Sequence, residues 1–175
     1  MCRILTTVLL SLVLSRVPFP NEPAAAKSGV PDGRMVRLET FFELHGCPAP
    51  YHTTDYLRAA DRYALDYRLL PAISVVESTC GQYCRLNNYW GWDSARTGFT
   101  SVPSGINFIT KQLARGLYYK GVSLEEKLHM YNPGTKYANA IKKLMREIDR
   151  EPASLRHRRS GTREAKVNPE LARGF

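Results

Sequence analysis

Apolar residues recur at three- and four-residue intervals along most of this chain. No stretch of any length alternates with the two-residue period of a strand. Met35, Val36, Leu38, Phe41, Phe42 and Leu44 predict a short amphipathic helix ending near Gly46, and Cys47-Pro48-Ala49-Pro50 breaks it. A second helix is expected over 55–67, capped by Thr53 or Thr54, with Tyr56, Ala60, Tyr63, Ala64 and Tyr67 on its buried stripe. A third starts at Leu70 and carries Ile73, Val75 and Val76 up to Glu77. Pro71 suits its first turn and Gly81 is a plausible stop. Ser101-Val102-Pro103-Ser104 leads into a helix over 105–119 with Ile106, Ile109, Leu113 and Leu117 on one face. Ser123-Leu124-Glu125-Glu126 reads as the capping box of a short helix to Met130. After the turn Tyr131-Asn132-Pro133-Gly134, Thr135 is expected to cap a last helix through Ile148. Tyr137, Ile141, Leu144, Met145 and Ile148 would face inward. The expected fold class is all-α, with function carried by loops between helices.

Length and composition fit that picture: 175 residues at 43% hydrophobic content suffice for one domain with a sizeable core. The first residues change it. Arg3 precedes an apolar run from Ile4 to Leu14 that is too short to span a bilayer, and Ala24-Ala25-Ala26 offers a small-residue cleavage site. The reading is a signal peptide over 1–26, against the alternative of an uncleaved membrane anchor, and the localisation is secreted or periplasmic. A linker and short helix would occupy 27–52, the helical domain 53–151, and a basic disordered tail 152–175. From Ala153 onward six basic residues stand against two acidic ones, which leaves +4 of the total +9 in the tail. Such a tail suits an anionic wall or membrane surface; export argues against nucleic acid as partner. The protein is expected to be a monomer.

Export also changes the cysteine arithmetic. Cys2 would leave with the signal peptide, so Cys47, Cys80 and Cys84 cannot all pair within one chain. A Cys80–Cys84 bridge would close a tight loop, whereas Cys47–Cys80 or Cys47–Cys84 would staple the N-terminal segment to the turn after Glu77. The longer loops constrain the unfolded chain more and favour a bridge that involves Cys47. His45 lies near Cys47, but no paired metal-ligand spacing accompanies it, so neither a metal nor a cofactor is expected.

The chemistry concentrates in Leu70 to Ser94. Glu77 ends an apolar run, where burial would raise its pKa towards that of a general acid working near neutral pH. Asn87, Asn88, Tyr89, Trp90 and Trp92 follow. Flat aromatic faces and amide groups are what a site uses to grip a sugar ring. One of the two tryptophans is expected in the core and the other at the cleft. Glycoside cleavage usually takes two carboxylates, and Asp93 is the candidate second group; its alternative role is a solvated turn former.

An apolar helix ending in Glu77-Ser78, a glycine-containing turn, and then Asn87-Asn88-Tyr89-Trp90-Gly91-Trp92 resembles the peptidoglycan-cleaving enzymes of the lysozyme-like superfamily. The pattern most resembles the flagellar-type endo-β-N-acetylglucosaminidases, with the soluble lytic transglycosylases as cousins. Tyr131-Asn132-Pro133-Gly134, followed by Tyr137, is similar to the tyrosine-bearing motif on the opposite cleft wall of these enzymes. The resemblance covers roughly 55–148. It implies a lysozyme-like domain, Glu77 as catalytic acid and peptidoglycan or a related N-acetylhexosamine glycan as partner. Tyr131 would hydrogen-bond Glu77 or the substrate's N-acetyl group. Asn87, Asn88, Trp90, Trp92, Asn132 and Tyr137 would contact substrate, with Tyr137 also readable as a packing residue. Asn88-Tyr89-Trp90-Gly91-Trp92 replaces the Gly-Leu-Met-Gln segment of the transglycosylases, which points to the glucosaminidase side. The competing reading is a non-catalytic peptidoglycan-binding module.

Overall fold

The computed structural model describes residues 32–150. The expected signal peptide over 1–26, most of the expected linker, and the expected tail over 152–175 lie outside them. Six α-helices and a short 3-10 turn make up the described residues, which contain no strand: α1 Gly33–Leu44, α2 Thr53–Tyr63, α3 Leu69–Ser78, the 3-10 turn Trp92–Ala95, α4 Val102–Arg115, α5 Leu124–Tyr131 and α6 Thr135–Asp149. The all-α expectation holds for this part. Among the described residues no helix is long and apolar enough to cross a membrane.

α3 is the centre of the packing. Its first six residues, Leu69 to Ser74, are all buried, so the helix is apolar all round as a core element must be. It lies against α6, while α2 packs on α4 and on α1, and α6 also meets α1 and α5. Trp90, Ile106, Ile109, Ile141 and Ile148 close the core around Ile73. The Cys47–Cys80 disulfide joins the segment after α1 to the turn after α3 across 33 residues, so the bridge does involve Cys47; Cys84 is free.

Several helix ends differ from expectation, each for a local reason. α2 stops at Tyr63, not Tyr67. Ala64 turns left-handed at φ 54°, and Leu65 N–H bonds back to the Ala60 carbonyl, which ends the helix. Ala64 is thereby exposed and Tyr67 only half-buried. His52, not Thr53 or Thr54, occupies the cap position of α2 and makes no side-chain cap. α3 ends at Ser78, ahead of Gly81, because Thr79 and Cys80 already adopt φ of 51° and 55°. α4 ends at Gly116, so Leu117, expected on the buried face, is 88% exposed. Leu44, the last residue of α1, is also exposed, while Phe41 and Phe42 of the same turn are buried. Gly134, not Thr135, caps α6, and Leu144 is half-buried. The Ser123–Glu126 capping box of α5 forms as expected, though the helix runs one residue further and takes in Tyr131.

Candidate active site around Glu77

Glu77 sits at the exit of α3 from the core. The helix buries everything up to Ser74, then releases Val76 to solvent and leaves Glu77 half-buried. Burial raises the Glu77 pKa above its ordinary value, and the nearby Tyr137 hydroxyl partly offsets this by favouring the carboxylate. That hydroxyl is itself buried and completes no hydrogen bond of good geometry. The proximity is mutual: the Glu77 charge, after burial, pushes the Tyr131 and Tyr137 hydroxyls to higher pKa.

The loop 89–92 is laid across this carboxyl and pinned on both sides. The Ser78 hydroxyl donates to the Tyr89 carbonyl at 2.6 Å and accepts from Gly81 N–H at 2.8 Å. The Tyr131 hydroxyl donates to the Trp90 carbonyl. Asn88 Nδ2 donates to the carbonyls of Trp92 (2.9 Å) and Thr97 (2.8 Å), and its Oδ1 accepts from Trp92 N–H at 3.0 Å. Gly91 lies between these anchors at φ 62°. A β-carbon there would stand 2.6 Å from Glu77 Oε2, so any other residue would push the carboxyl aside, besides straining the left-handed backbone.

Aromatic rings form the wall beyond. Tyr131 stacks on Tyr137 with centroids 6.1 Å apart and planes 6° from parallel. Trp92 packs on Tyr131 at 5.9 Å, and on Tyr119 and Phe108 at 6.1 Å each. Lys127 Nζ donates to the Tyr119 carbonyl and ties the loop after α4 to α5.

The expected site residues therefore divide. Glu77, Tyr131, Tyr137 and Trp92 come together. Trp90 does not line a cleft: it is fully buried, edge-on to Tyr56 and Phe99, and is the tryptophan that belongs to the core. Asn88 is also withdrawn from solvent, with its whole amide spent on the loop. Asn87 is exposed and its amide donates to the Phe99 carbonyl; Asn132 is exposed and accepts from Gly134 N–H. The Tyr131 hydroxyl, expected on Glu77, goes to the Trp90 carbonyl instead, and Tyr137 is the tyrosine that bears on the acid.

Asp93 closes its own loop. Its carboxylate accepts from Arg96 at 2.6 Å and from Thr97 at 3.0 Å, contacts that hold its pKa below the ordinary value. It plays no part in the shift of Glu77. Among the described residues no three His, Cys, Asp or Glu side chains gather as a metal site requires. Gly91 and Tyr119 are the site residues that sequence reasoning did not single out. A glycine between two tryptophans hints at close backbone approach, whereas Tyr119 carries no local signal.

No family model matches this sequence, and neither the comparison with curated proteins nor that with solved structures returned a match. Among the described residues the chain is all-helical, and Glu77 is a half-buried acid beside an aromatic wall.

Proposed function

We propose that the chain is a secreted glycoside hydrolase of lysozyme-like fold that cleaves the glycan strand of bacterial peptidoglycan, with Glu77 as its single general acid. The observation that carries this reading is the Glu77 carboxyl, half-buried beneath Gly91 and raised in pKa by that burial. A protonated carboxyl at that position suits proton donation to a glycosidic oxygen. The motif resemblance around Glu77 and Tyr131 supplies the substrate class.

In this mechanism the Glu77 proton passes to the glycosidic oxygen as the bond from that oxygen to the anomeric carbon breaks. The sugar gains oxocarbenium character. Asp93 is engaged within its own loop, so the nucleophile is assigned to the substrate: the 2-acetamido oxygen attacks the anomeric carbon from the far face. The Glu77 carboxylate then takes a proton from water as that water opens the cyclic intermediate. Trp92, half-buried beside Tyr131, is assigned to the sugar ring, and Asn87 and Asn132, both exposed, to its polar groups. Trp90 and Asn88 hold the loop, and Tyr137 tunes the acid.

The same engagement of Asp93 also favours a second reading. If the sugar's 6-hydroxyl attacks the anomeric carbon and gives its proton to Glu77, the product is a 1,6-anhydro sugar and the enzyme a lytic transglycosylase. The Cys47–Cys80 bridge is compatible with an oxidising compartment. The basic tail would hold the enzyme on an anionic wall or membrane surface. The test is release of soluble fragments from purified peptidoglycan by the wild type and not by Glu77→Gln.

A further inference from the structure

The arginines of this protein are treated unequally. Arg34 is gripped by both Asp32 and Asp61, and Arg68 by both Asp66 and Asp149. The groove between α2 and α4 is different. Asp55, Arg58 and Arg62 of α2, the two arginines one helical turn apart, form one wall, and Ser104 and Asn107 of α4 form the other. It holds about 280 Å³ and is open to solvent. Among the described residues Arg58 meets only Asp55, at 3.7 Å, and its side chain is 66% exposed. Asp55 is shared with the His52 ring at 3.4 Å.

Arg62 makes a single long bond, 3.4 Å, to Asn107 Oδ1, which also accepts from the Tyr63 hydroxyl at 3.2 Å. At the end of the groove Arg115 donates to the Arg62 carbonyl at 3.3 Å and lies 5.3 Å over the Tyr63 ring. Among the described residues neither Arg62 nor Arg115 has a carboxylate within 4.0 Å.

Like charges one turn apart on a helix repel, and here Asp55 offsets only Arg58 while Arg62 has no carboxylate partner among the described residues, so placing the two together costs stability. An oxyanion between them removes that cost, because two guanidinium forks match the geometry of a carboxylate or phosphate. We propose that the α2–α4 groove is an oxyanion-binding site. It takes a carboxylate or phosphate group between Arg58 and Arg62, with Asn107 Nδ2 as a third donor. Asn107 suits the role because Arg62 and Tyr63 occupy its Oδ1 and leave the nitrogen to donate. The site shares no lining residue with the Glu77 wall and does not depend on the reading of Glu77.

The experiment is a titration of the full-length, 15N-labelled chain at constant ionic strength, with inorganic phosphate in one arm and acetate in the other. The expected result is a saturable shift of the Arg58 and Arg62 Nε–H signals and of the Asn107 side-chain amide. Arg62→Gln, at an exposed helical position, should weaken it about tenfold, the loss of one charge-assisted pair; Arg58→Gln should do the same. Saturation by phosphate alone assigns a phosphate ligand, and by acetate alone a carboxylate. Shifts that stay linear with added anion, spread equally over exposed arginines, or survive Arg62→Gln would overturn the proposal.

Discussion

The backbone of Gly91 lies on the carboxyl of Glu77, so close that an added β-carbon would stand 2.6 Å from Oε2. The acid is thus roofed by the loop that follows it, and the loop is held by Ser78, Asn88 and Tyr131. Gly91→Ala should move the Glu77 side chain out of place. It should cost about 1–2 kcal/mol of stability for the left-handed backbone, and peptidoglycan cleavage should fall well beyond what that accounts for. Thermal melting and initial rates on the same preparation separate the two effects.

The titration of Glu77 makes a prediction about stability. Its pKa is raised in the folded state, so the native protein holds this proton more tightly than the unfolded chain does. The associated stability is fully present below the ordinary value of 4.5 and is lost as pH rises through the higher native value. Glu77→Gln does not titrate. The melting temperature of Glu77→Gln relative to wild type should therefore climb as pH rises above the ordinary carboxyl value of 4.5. A constant difference there would mean an unperturbed carboxyl.

Tyr131 and Tyr137 should behave differently despite their stacked rings. Tyr131→Phe leaves the Trp90 carbonyl without its donor and should cost about 1–3 kcal/mol in chemical denaturation. Tyr137→Phe removes a hydroxyl that completes no good hydrogen bond, so stability should change little. It does remove the group that favours the Glu77 carboxylate, so the Glu77 pKa should move further up, readable by 13C NMR of the carboxyl.

The disulfide closes a loop with 33 residues of separation. Replacing Cys47 and Cys80 together with serine should cost about 3–4 kcal/mol by loop-closure entropy, measured in denaturant. Cys84→Ser, at the free thiol, should stay within about 0.5 kcal/mol of wild type.

What was legible in the sequence was local. The Ser123–Glu126 capping box and the apolar run of α3 follow from spacing and chain chemistry, whereas which tryptophan enters the core does not. What was not legible is set by tertiary contact. Asn88 reads the same as a sugar-gripping amide or as a loop anchor, and only its three partners show which it is. The end of α2 is decided by Ala64 turning left-handed, which alanine does not announce. The choice between Tyr131 and Tyr137 as partner of Glu77 depends on which hydroxyl the Trp90 carbonyl captures, a contact across 41 residues.

The central claim is that Glu77 is the acid of a glycan-cleaving enzyme, and one measurement meets it directly: digestion of purified peptidoglycan by wild type and Glu77→Gln, with products read by mass spectrometry. Soluble fragments with reducing N-acetylglucosamine ends are expected from the wild type alone. Anhydro-muramic ends would select the transglycosylase reading of the same acid. Binding of both proteins to the sacculus with no fragments from either would contradict the claim and leave a binding module.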